Sequence, residues 1–371
     1  MSPTPRSPQS DAVSVGDEPP REALSSRPNG RVRTGQPPEV RGGASWLQRY
    51  SMLIILALLI ALFSALRPDN FATLTNALQI LNNQAVVIII ALAAMVTLVV
   101  GSFDLSITAT MSLASALAIG LQATLPWWVA VIVALCAGAV IGLVNGLLVG
   151  VVKLGSFVVT LAMQVIVGGV VIWFTDGQVL FRDVAPEFLA VARGAVAGFV
   201  FPLLLAVILV VALWLIYEGT AFGRSMYAVG NSPEAARLSG IPASRLTTTS
   251  FVIGGVLAAL AGVVVSAKIG SAQPDIGASY LLPAFAAAFL GASAIRPGRY
   301  NSVGTLVGVY VVAVGFTGLV FLGVPLWIQP IFYGLTLLAA IAAPVVFARR
   351  RRARQTPAAS ATAQYQSVKE Q

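Results

Sequence analysis

The sequence predicts an all-α polytopic membrane protein with about ten transmembrane helices in two inverted half-repeats and a disordered N-terminal tail. The 371 residues are 57% hydrophobic and only 10% charged. A soluble domain carries about 25% charged residues, so this chain could not cover its own surface with hydrated groups. Apolar runs of about 20 residues, the length that a helix needs to cross a bilayer, recur between residues 46 and 347.

Residue types that catalysis and metal binding often use are scarce. The chain has no histidine and a single cysteine, Cys136, which lies within an apolar run. These counts exclude a disulfide framework, histidine-based catalysis and most zinc, copper and haem sites. The sequence G-x-x-x-x-G-K-[ST] does not occur, so the chain has no P-loop for ATP. We therefore expect no enzyme activity and no bound metal or cofactor.

The two ends of the chain differ in composition from its apolar middle. Residues 1–43 are rich in proline, glycine and serine without an apolar period, which predicts a disordered cytoplasmic tail. Residues 44–347 form the predicted membrane domain. Residues 348–371 form a second cytoplasmic tail, which starts with the basic run ARRRRAR and predicts contact with anionic membrane lipid. The remaining basic residues are scattered, so no nucleic-acid partner is expected.

Ten apolar runs predict the transmembrane helices. Several joins between them are very short, such as those near Asp104 and Lys153, and the less apolar stretch 71–83 predicts a helix near the membrane surface. The predicted spans are 46–66, 84–101, 105–122, 127–150, 156–174, 200–217, 248–267, 280–294, 302–322 and 326–347.

The distribution of basic residues predicts the orientation of these spans. With the N-terminus inside and ten spans, both tails and the loops near residue 153, at 218–247 and at 295–301 face the cytoplasm. That arrangement places 19 of the 23 lysine and arginine residues on the cytoplasmic side. Because cytoplasmic loops carry the excess of basic residues, both termini and loop 218–247 are predicted to be cytoplasmic.

Two pairs of short matches indicate an internal repeat. Gly101-Ser102 followed by Asp104 resembles Gly270-Ser271 followed by Asp275, and the two aspartates are 171 residues apart. Asn145-Gly146-Leu147 and Thr317-Gly318-Leu319 are 172 residues apart. Five predicted spans separate the units, so the second unit is inverted relative to the first. Inverted repeats are typical of transporters, whose substrate path follows the interface between repeats.

Loop 218–247 contains a short charged helix with clear boundaries. Ser232 suits the N-cap, Pro233 the first helical position and Glu234 the positive end of the helix dipole, while Gly240 can close the C-terminus before Pro242. A helix of about two turns is unstable alone in water. It therefore rests on the membrane surface as an amphipathic connector or docks with another protein, and its local features leave both alternatives open.

Amides and hydroxyls within the apolar spans are candidates for a polar substrate path, together with aromatic neighbours. Hydrogen bonding between helices is an equally good explanation for each of them. Asp104 could bind substrate hydroxyls or a gate partner, or it could be the N-cap of the third span. The path candidates are Asn83, Gln84, Thr97, Asp104, Asn145, Phe157, Thr160, Gln164 and Phe285.

Four glycines at a spacing of four on span four favour close helix packing.

Loop 218–247 and several shorter pieces resemble one protein family. The loop contains Gly223-Arg224, Tyr227-Ala228, Gly230-Asn231 and the run EAARLSGI from Glu234 to Ile241. Matching pieces elsewhere are Asp104-Leu105-Ser106, Phe157 to Leu161, Thr175 to Gln178, Ser271 to Pro274, Gly298-Arg299 and Gly304-Thr305. Over residues 50–345 the sequence resembles the ribose/galactoside-type permease subunits of bacterial ABC importers, in the wider group of branched-chain amino-acid and nucleoside permeases. Departures at Ser102, Thr108 and Thr317 leave the particular solute open.

The resemblance implies a permease subunit of the bacterial inner membrane that forms the translocation path for a sugar. It implies three protein partners: a second permease subunit, identical or different, an extracytoplasmic solute-binding protein that contacts loop 175–199, and a cytoplasmic subunit that hydrolyses ATP. The implied contacts with the ATP-binding subunit are Arg224, Glu234, Ala235, Ala236, Arg237 and Gly240. The alternatives are an ABC permease for nucleosides or other polar solutes and an ion-coupled secondary transporter, for which Asp104 is the nearest candidate group.

Overall fold

The computed structural model describes residues 42–181, 183–296 and 298–342. The predicted tail 1–43 lies outside these residues except for Gly42 and Gly43, which begin the first helix. The basic tail 348–371 and the end of the tenth predicted span also lie outside them. Over the described residues the chain is built from helices, with one two-residue hairpin, so the all-α prediction is confirmed.

Fifteen helices follow one another along the described chain. They are α1 Gly42–Leu66, α2 Pro68–Phe71, α3 Leu74–Asn83, α4 Ala85–Val99, α5 Ile107–Gly120, α6 Trp127–Gly150, α7 Ser156–Thr175, α8 Pro186–Arg193, α9 Phe201–Gly219, α10 Ala221–Asn231, α11 Pro233–Leu238, α12 Ala243–Ile269, α13 Leu281–Gly291, α14 Ser302–Phe321 and α15 Ile328–Ala342. Strands β1 Ala195–Val196 and β2 Phe199–Val200 pair between α8 and α9. A 3-10 turn, Ile276–Tyr280, precedes α13.

Seven helical segments among the described residues are long and apolar enough to cross a membrane: Arg49–Leu66, Leu74–Val99, Trp127–Gly150, Ser156–Thr175, Phe201–Gly219, Ala243–Ile269 and Ser302–Phe321. Three shorter apolar helices, Ile107–Ala123, Ile276–Gly291 and Ile328–Ala342, correspond to the remaining predicted spans. The predicted surface helix 71–83 is only partly separate. It is realised as the end of α2 and as α3, but α3 leads into α4 through Gln84, so that 26 residues form one apolar segment.

Two long helices end in matching breaks, each followed by a short helix. The first break has Gly101 two residues after α4 and the second has Gly270 directly after α12, with φ angles of 76° and 78°. This left-handed conformation costs glycine little and is unfavourable for most other residues. The short helix after each break packs on the other long helix, α5 on α12 and α13 on α4, and the two long helices pack together. This reciprocal packing is what two inverted halves would produce.

The glycines of α6 pack inside the subunit. Gly138 faces Gly255 and Ala259, Gly142 faces the backbone of Phe251, and Gly146 and Gly150 face Thr248. Side chains on these glycines would overlap backbone atoms of α12, so their absence allows α6 and α12 to approach closely. The packing interpretation of the glycine spacing is therefore confirmed within one chain.

α4 forms the centre of the largest core. Nearly every residue from Ala85 to Val99 is buried, as expected of a helix that is apolar on all sides. It packs against α9, α12, α13 and α14. α7 is different, because Val158, Val165 and Trp173 are each 69–77% exposed among the described residues. α7 therefore has a broad apolar surface that the described part of the chain leaves uncovered.

Candidate functional site

The spans give the molecule two ends. We call the end that carries α10, α11 and the α13–α14 connection the α11 end, and the end that carries α8 and the hairpin the α8 end. The α8 end is held together by long-range bonds. Lys268 Nζ donates to Asn83 Oδ1 at 3.1 Å and Asn82 Nδ2 donates to the Gly198 carbonyl at 2.9 Å.

A cavity of about 590 Å³ opens beside α5 and α7. Its volume lies within the range of about 300–1,000 Å³ that is usual for small-molecule sites. Its lining comes from α5, α7, the turn after α7 and the break before α13. The lining residues are Thr108, Ala109, Ser112, Gln164, Gly168, Ile172, Gly177, Val179, Gln273, Pro274, Asp275 and Ala278.

Polar groups of three segments converge on this cavity. Gln164 comes from α7, Thr108 and Ser112 lie one turn apart on α5, and Gln273 and Asp275 lie in the break after α12. The described contacts include no hydrogen bond from the side chains of Gln164, Gln273 or Asp275. These amides and this carboxylate can therefore donate to and accept from a ligand rich in hydroxyl groups, while Ile172 and Val179 supply apolar contact.

The break after α12 reaches deep into the molecule because of one glycine. A Cβ on Gly277 would overlap the carbonyl oxygen of Thr108, so only glycine permits this approach. The Gly277 N–H donates to Ser112 Oγ at 3.0 Å. Beside the lining segments, Leu180 and Ala272 exchange two backbone hydrogen bonds of 2.9 and 2.7 Å. The walls of the cavity are thus tied to one another by backbone contacts.

A buried polar cluster lies just beyond the cavity, towards the α11 end. Asp104 Oδ1 accepts from the Ser106 N–H at 3.0 Å and from Ser106 Oγ at 2.6 Å, and Asn145 Nδ2 donates to Ser106 Oγ at 2.8 Å. Asp104, Ser106 and Asn145 are at most 1% exposed. The N-cap interpretation of Asp104 is wrong, because α5 begins at Ile107 with Ser106 as its N-cap and Asp104 turns the chain two residues earlier.

The start of α7 is bonded to the same break. The Leu105 N–H donates to Thr160 Oγ1 at 3.1 Å and the Phe103 N–H donates to Ser156 Oγ at 3.1 Å. Thr160 also donates back to the Ser156 carbonyl at 2.8 Å. Three of the predicted path residues, Asp104, Asn145 and Thr160, are therefore brought together. They lie between the cavity and the α11 end and do not line the cavity.

A row of aromatic rings connects this break to α10. Phe103 stacks on Phe285 at 6.3 Å and contacts Phe289 at 6.0 Å, and Phe289 meets Tyr300 edge-on at 5.8 Å. Tyr227 of α10 donates its hydroxyl hydrogen to the Tyr300 carbonyl at 2.6 Å. Phe285 is 4% exposed, so it belongs to this row and does not line the cavity.

α11 has the caps that its sequence predicts. Ser232 Oγ accepts from the Ala235 N–H at 3.3 Å, and Gly240 has a φ of 80°. The Gly240 N–H bonds to the Arg237 carbonyl and the Ile241 N–H to the Ala236 carbonyl, at 3.0 and 2.9 Å. These bonds form a Schellman motif, which stops the helix after two turns.

Most of α11 is exposed, and Leu238 is 87% exposed. Glu234, Ala235, Arg237, Gly240 and, on α10, Arg224 are also exposed. Ala236 is not, since it is 4% exposed and packs in the main core. Of the residues expected to contact the ATP-binding subunit, Ala236 is therefore the buried one, and its small side chain lets α11 sit closely on the helices beneath it.

The remaining predicted path residues are dispersed. Asn83 pairs with Lys268 at the α8 end, and Gln84 joins α3 to α4. Thr97 is fully buried, bonds within α4 to the Ala94 carbonyl and faces Gly254 of α12. In this structure it packs between helices and does not line the cavity. Phe157 is 56% exposed on α7. Gln164 is the predicted residue that lines the cavity.

Sequence reasoning missed several residues of these sites. Thr108 and Ser112, at a spacing of four on α5, were the available indication of a polar stripe. Leu238 could have been found as the one large apolar side chain on a charged two-turn helix. Gln273 enters the cavity only because Gly277 lets its segment fold inward, which no local pattern reveals.

Comparison with known proteins agrees with this architecture. Residues 76–341, more than two thirds of the chain, match the family described as "Branched-chain amino acid transport system / permease component". No solved structure matches the chain.

The chain is also similar to curated sugar permeases. It is 34% identical to the ribose import permease protein RbsC of Escherichia coli K12 over 303 residues, which cover 80% of this chain and 94% of that protein. It is 32% identical to RbsC of Haemophilus influenzae over 294 residues, 78% of this chain and 91% of that one. It is 30% identical to the galactose/methyl galactoside import permease protein MglC of Salmonella typhimurium over 327 residues, 83% and 97% of the two chains. The chain therefore belongs to the family of branched-chain amino acid transport system permease components, and it is a multi-pass protein of the inner membrane.

Proposed function

We propose that this chain is the membrane permease of an ATP-driven importer and that it carries a sugar through the cavity beside α5 and α7. The observation that supports this most directly is the convergence of Gln164, Gln273, Asp275 and Ser112 on that cavity. A sugar offers hydroxyl groups that both donate and accept hydrogen bonds, which amide and carboxylate groups can match. The relatives named for ribose and galactosides favour a pentose or hexose.

In this proposal the α8 end faces outward and the α11 end faces the cytoplasm. The charge pattern supports it, because the described residues at the α11 end include Lys153, Arg224, Arg237, Arg245 and Arg299. The cavity then opens towards the outer side. A solute-binding protein would deliver the sugar to the segment that follows α7 and includes α8. This segment carries Asp176, Asp183 and Glu187.

The ATP-binding subunit would dock on α11. The exposed Leu238 offers an apolar contact, and a cleft of about 340 Å³ beside it is lined by residues that include Arg237, Gly240 and Arg245. An acidic side chain of the partner would suit that cleft. The exposed apolar face of α7 supports a second permease subunit, which would complete the path from the other side.

Uptake by the reconstituted complex tests this function. The full chain, its ATP-binding subunit and its binding protein are placed in liposomes, and entry of labelled ribose, allose and galactose is measured. We expect uptake of at least one sugar that requires both ATP and the binding protein and persists when ion gradients are collapsed. Uptake driven by a proton or sodium gradient without ATP would instead identify a secondary transporter. Transport of nucleosides with exclusion of sugars would overturn the substrate class.

A further inference from the structure

The cluster of Asp104, Ser106 and Asn145 has two oxygen atoms without a hydrogen-bond donor. Both hydrogen bonds to Asp104 end on its Oδ1 atom, and no described residue donates to Oδ2. Asn145 is fully buried, its Nδ2 atom donates to Ser106, and its Oδ1 atom has no partner. Asn145 Oδ1 is thus buried without a partner, in a cluster that also holds a carboxylate oxygen to which no described group donates. An unsatisfied polar atom of this kind requires an explanation.

Among the described residues, no lysine or arginine forms an ion pair with Asp104. The ion pair found among the described side chains joins Arg296 to Glu218, and Lys153 at the start of α7 donates to Ser244. The titratable groups on the elements packed around α5 and its preceding break are Cys136 on α6, Arg224 and Tyr227 on α10, Arg245 and Lys268 on α12 and Tyr280 before α13. None of these makes a described hydrogen bond or ion pair with Asp104.

An ionised carboxylate in such a place is unfavourable. Burying an unpaired charge has a large free-energy cost, and a buried group without a counter-ion usually becomes neutral instead. A neutral carboxylic acid gains one O–H donor and retains an acceptor oxygen. The cluster lacks one donor for Asn145 Oδ1, and one proton on Asp104 would supply it.

We propose that Asp104 carries a proton in this conformation and that its O–H group donates to Asn145 Oδ1. This hydrogen bond connects the break before α5 to α6, in the region between the cavity and the α11 end. An alkali ion held by these two oxygens is the alternative, and the dependence of the unfolding temperature on sodium distinguishes it. The inference does not depend on which solute the protein carries.

Infrared difference spectroscopy tests the proposal on the full chain in lipid nanodiscs at neutral pH. The carbonyl band of a protonated carboxyl is separate from the bands of a carboxylate, and ¹³C-labelled aspartate identifies it. We expect the band in the parent protein and its loss in Asp104→Asn. The matched control Asp275→Asn, which removes an exposed carboxyl at the equivalent break, should leave the band unchanged. Asn145→Leu removes the acceptor and should shift the band to higher frequency.

Thermal unfolding supplies an independent readout. An asparagine at position 104 carries a permanent N–H donor in place of the acid, so Asp104→Asn should unfold within about 4 °C of the parent protein. Exchange of choline for sodium should not change either unfolding temperature. Absence of the carboxyl band from the parent protein would overturn the proposal and leave an ionised, hydrated Asp104. An unfolding temperature that rises with sodium in the parent, but not in Asp104→Asn, would overturn it in favour of an alkali-ion site.

Discussion

Gly230 of α10 lies directly against the carbonyl oxygen of Val99, the last residue of α4, so that a Cβ atom at position 230 would overlap this oxygen. Two residues further on, Gly101 begins the break that leads to Asp104. α10, the first short helix of loop 218–247, is therefore in backbone contact with the central helix of the core. A displacement of α10 would be transmitted to the break below the cavity through this contact.

Gly230→Ala should weaken that contact and destabilise the protein. Overpacking of a tight contact costs about 1–3 kcal/mol, which exceeds the gain of about 1 kcal/mol from replacing a helical glycine by alanine. We expect a lower unfolding temperature and a loss of ATP-dependent uptake at equal expression. Gly219→Ala is the matched control, because the space around Gly219 is open. A Gly230→Ala protein as stable and active as the control would contradict the contact.

Tyr227→Phe should remove one hydrogen bond while it keeps the ring. The ring lies 5.8 Å from Tyr217 and 5.4 Å from the Arg299 guanidinium, and both contacts remain in the variant. The lost bond to the Tyr300 carbonyl is worth about 0.5–1.5 kcal/mol in the free energy of unfolding. Chemical unfolding of the detergent-purified protein measures this difference. Equal stability of the two proteins would show that the bond contributes nothing.

The same pair of proteins should respond differently to alkaline pH. Burial, with a further contribution from the charge of Glu218, raises the pKa of Tyr227 from its ordinary value of 10.0 to about 12. A raised pKa means that the folded state holds its proton more tightly than the unfolded state, so stability is lost as the pH rises through this window. Between pH 10 and 12 the parent should lose more stability than Tyr227→Phe. Parallel pH curves would contradict this assignment.

Leu238→Asp should abolish docking of the ATP-binding subunit without affecting the fold. Leu238 is 87% exposed, so the substitution disturbs no packing inside the subunit, whereas an apolar anchor within an interface contributes strongly to binding. We expect the variant to purify with a normal unfolding temperature and without the ATPase. Val196→Asp, at a residue 57% exposed at the α8 end, is the control for an added charge. Retention of the ATPase by Leu238→Asp would exclude this surface.

Gln164→Leu should reduce sugar uptake by about 2- to 10-fold, the loss expected when one hydrogen bond to the substrate is removed. Gln164 lines the cavity and has no described partner within the protein, so its removal should not affect folding. Thr97→Val is the matched control, because the Thr97 hydroxyl bonds only within α4 and lies outside the cavity lining. If both variants retain full uptake, the sugar follows another route.

The sequence predicted local features, such as helix caps, more reliably than it predicted which distant residues meet in the folded protein. The boundaries of α11 follow from Ser232, Pro233 and Gly240, since capping and backbone conformation are decided by a few adjacent residues. The path candidates were less reliable. Thr97 and Gln164 are both polar residues within apolar spans, yet one faces a neighbouring helix and the other an open cavity. A polar residue in an apolar helix has no local feature that distinguishes these two surroundings.

By itself the sequence determined that this chain is helical, crosses a membrane many times and carries one short capped helix in a basic loop, because length, hydropathy and caps depend on nearby residues. Only the tertiary structure decided that Asp104, Asn145 and Thr160 meet below a cavity lined by Gln164, Ser112 and Gln273. Those residues come together because α4 and α12 are each followed by a break that contains a left-handed glycine. The short helix after each break can then pack on the opposite half of the molecule. Such long-range packing depends on the shapes of both halves at once.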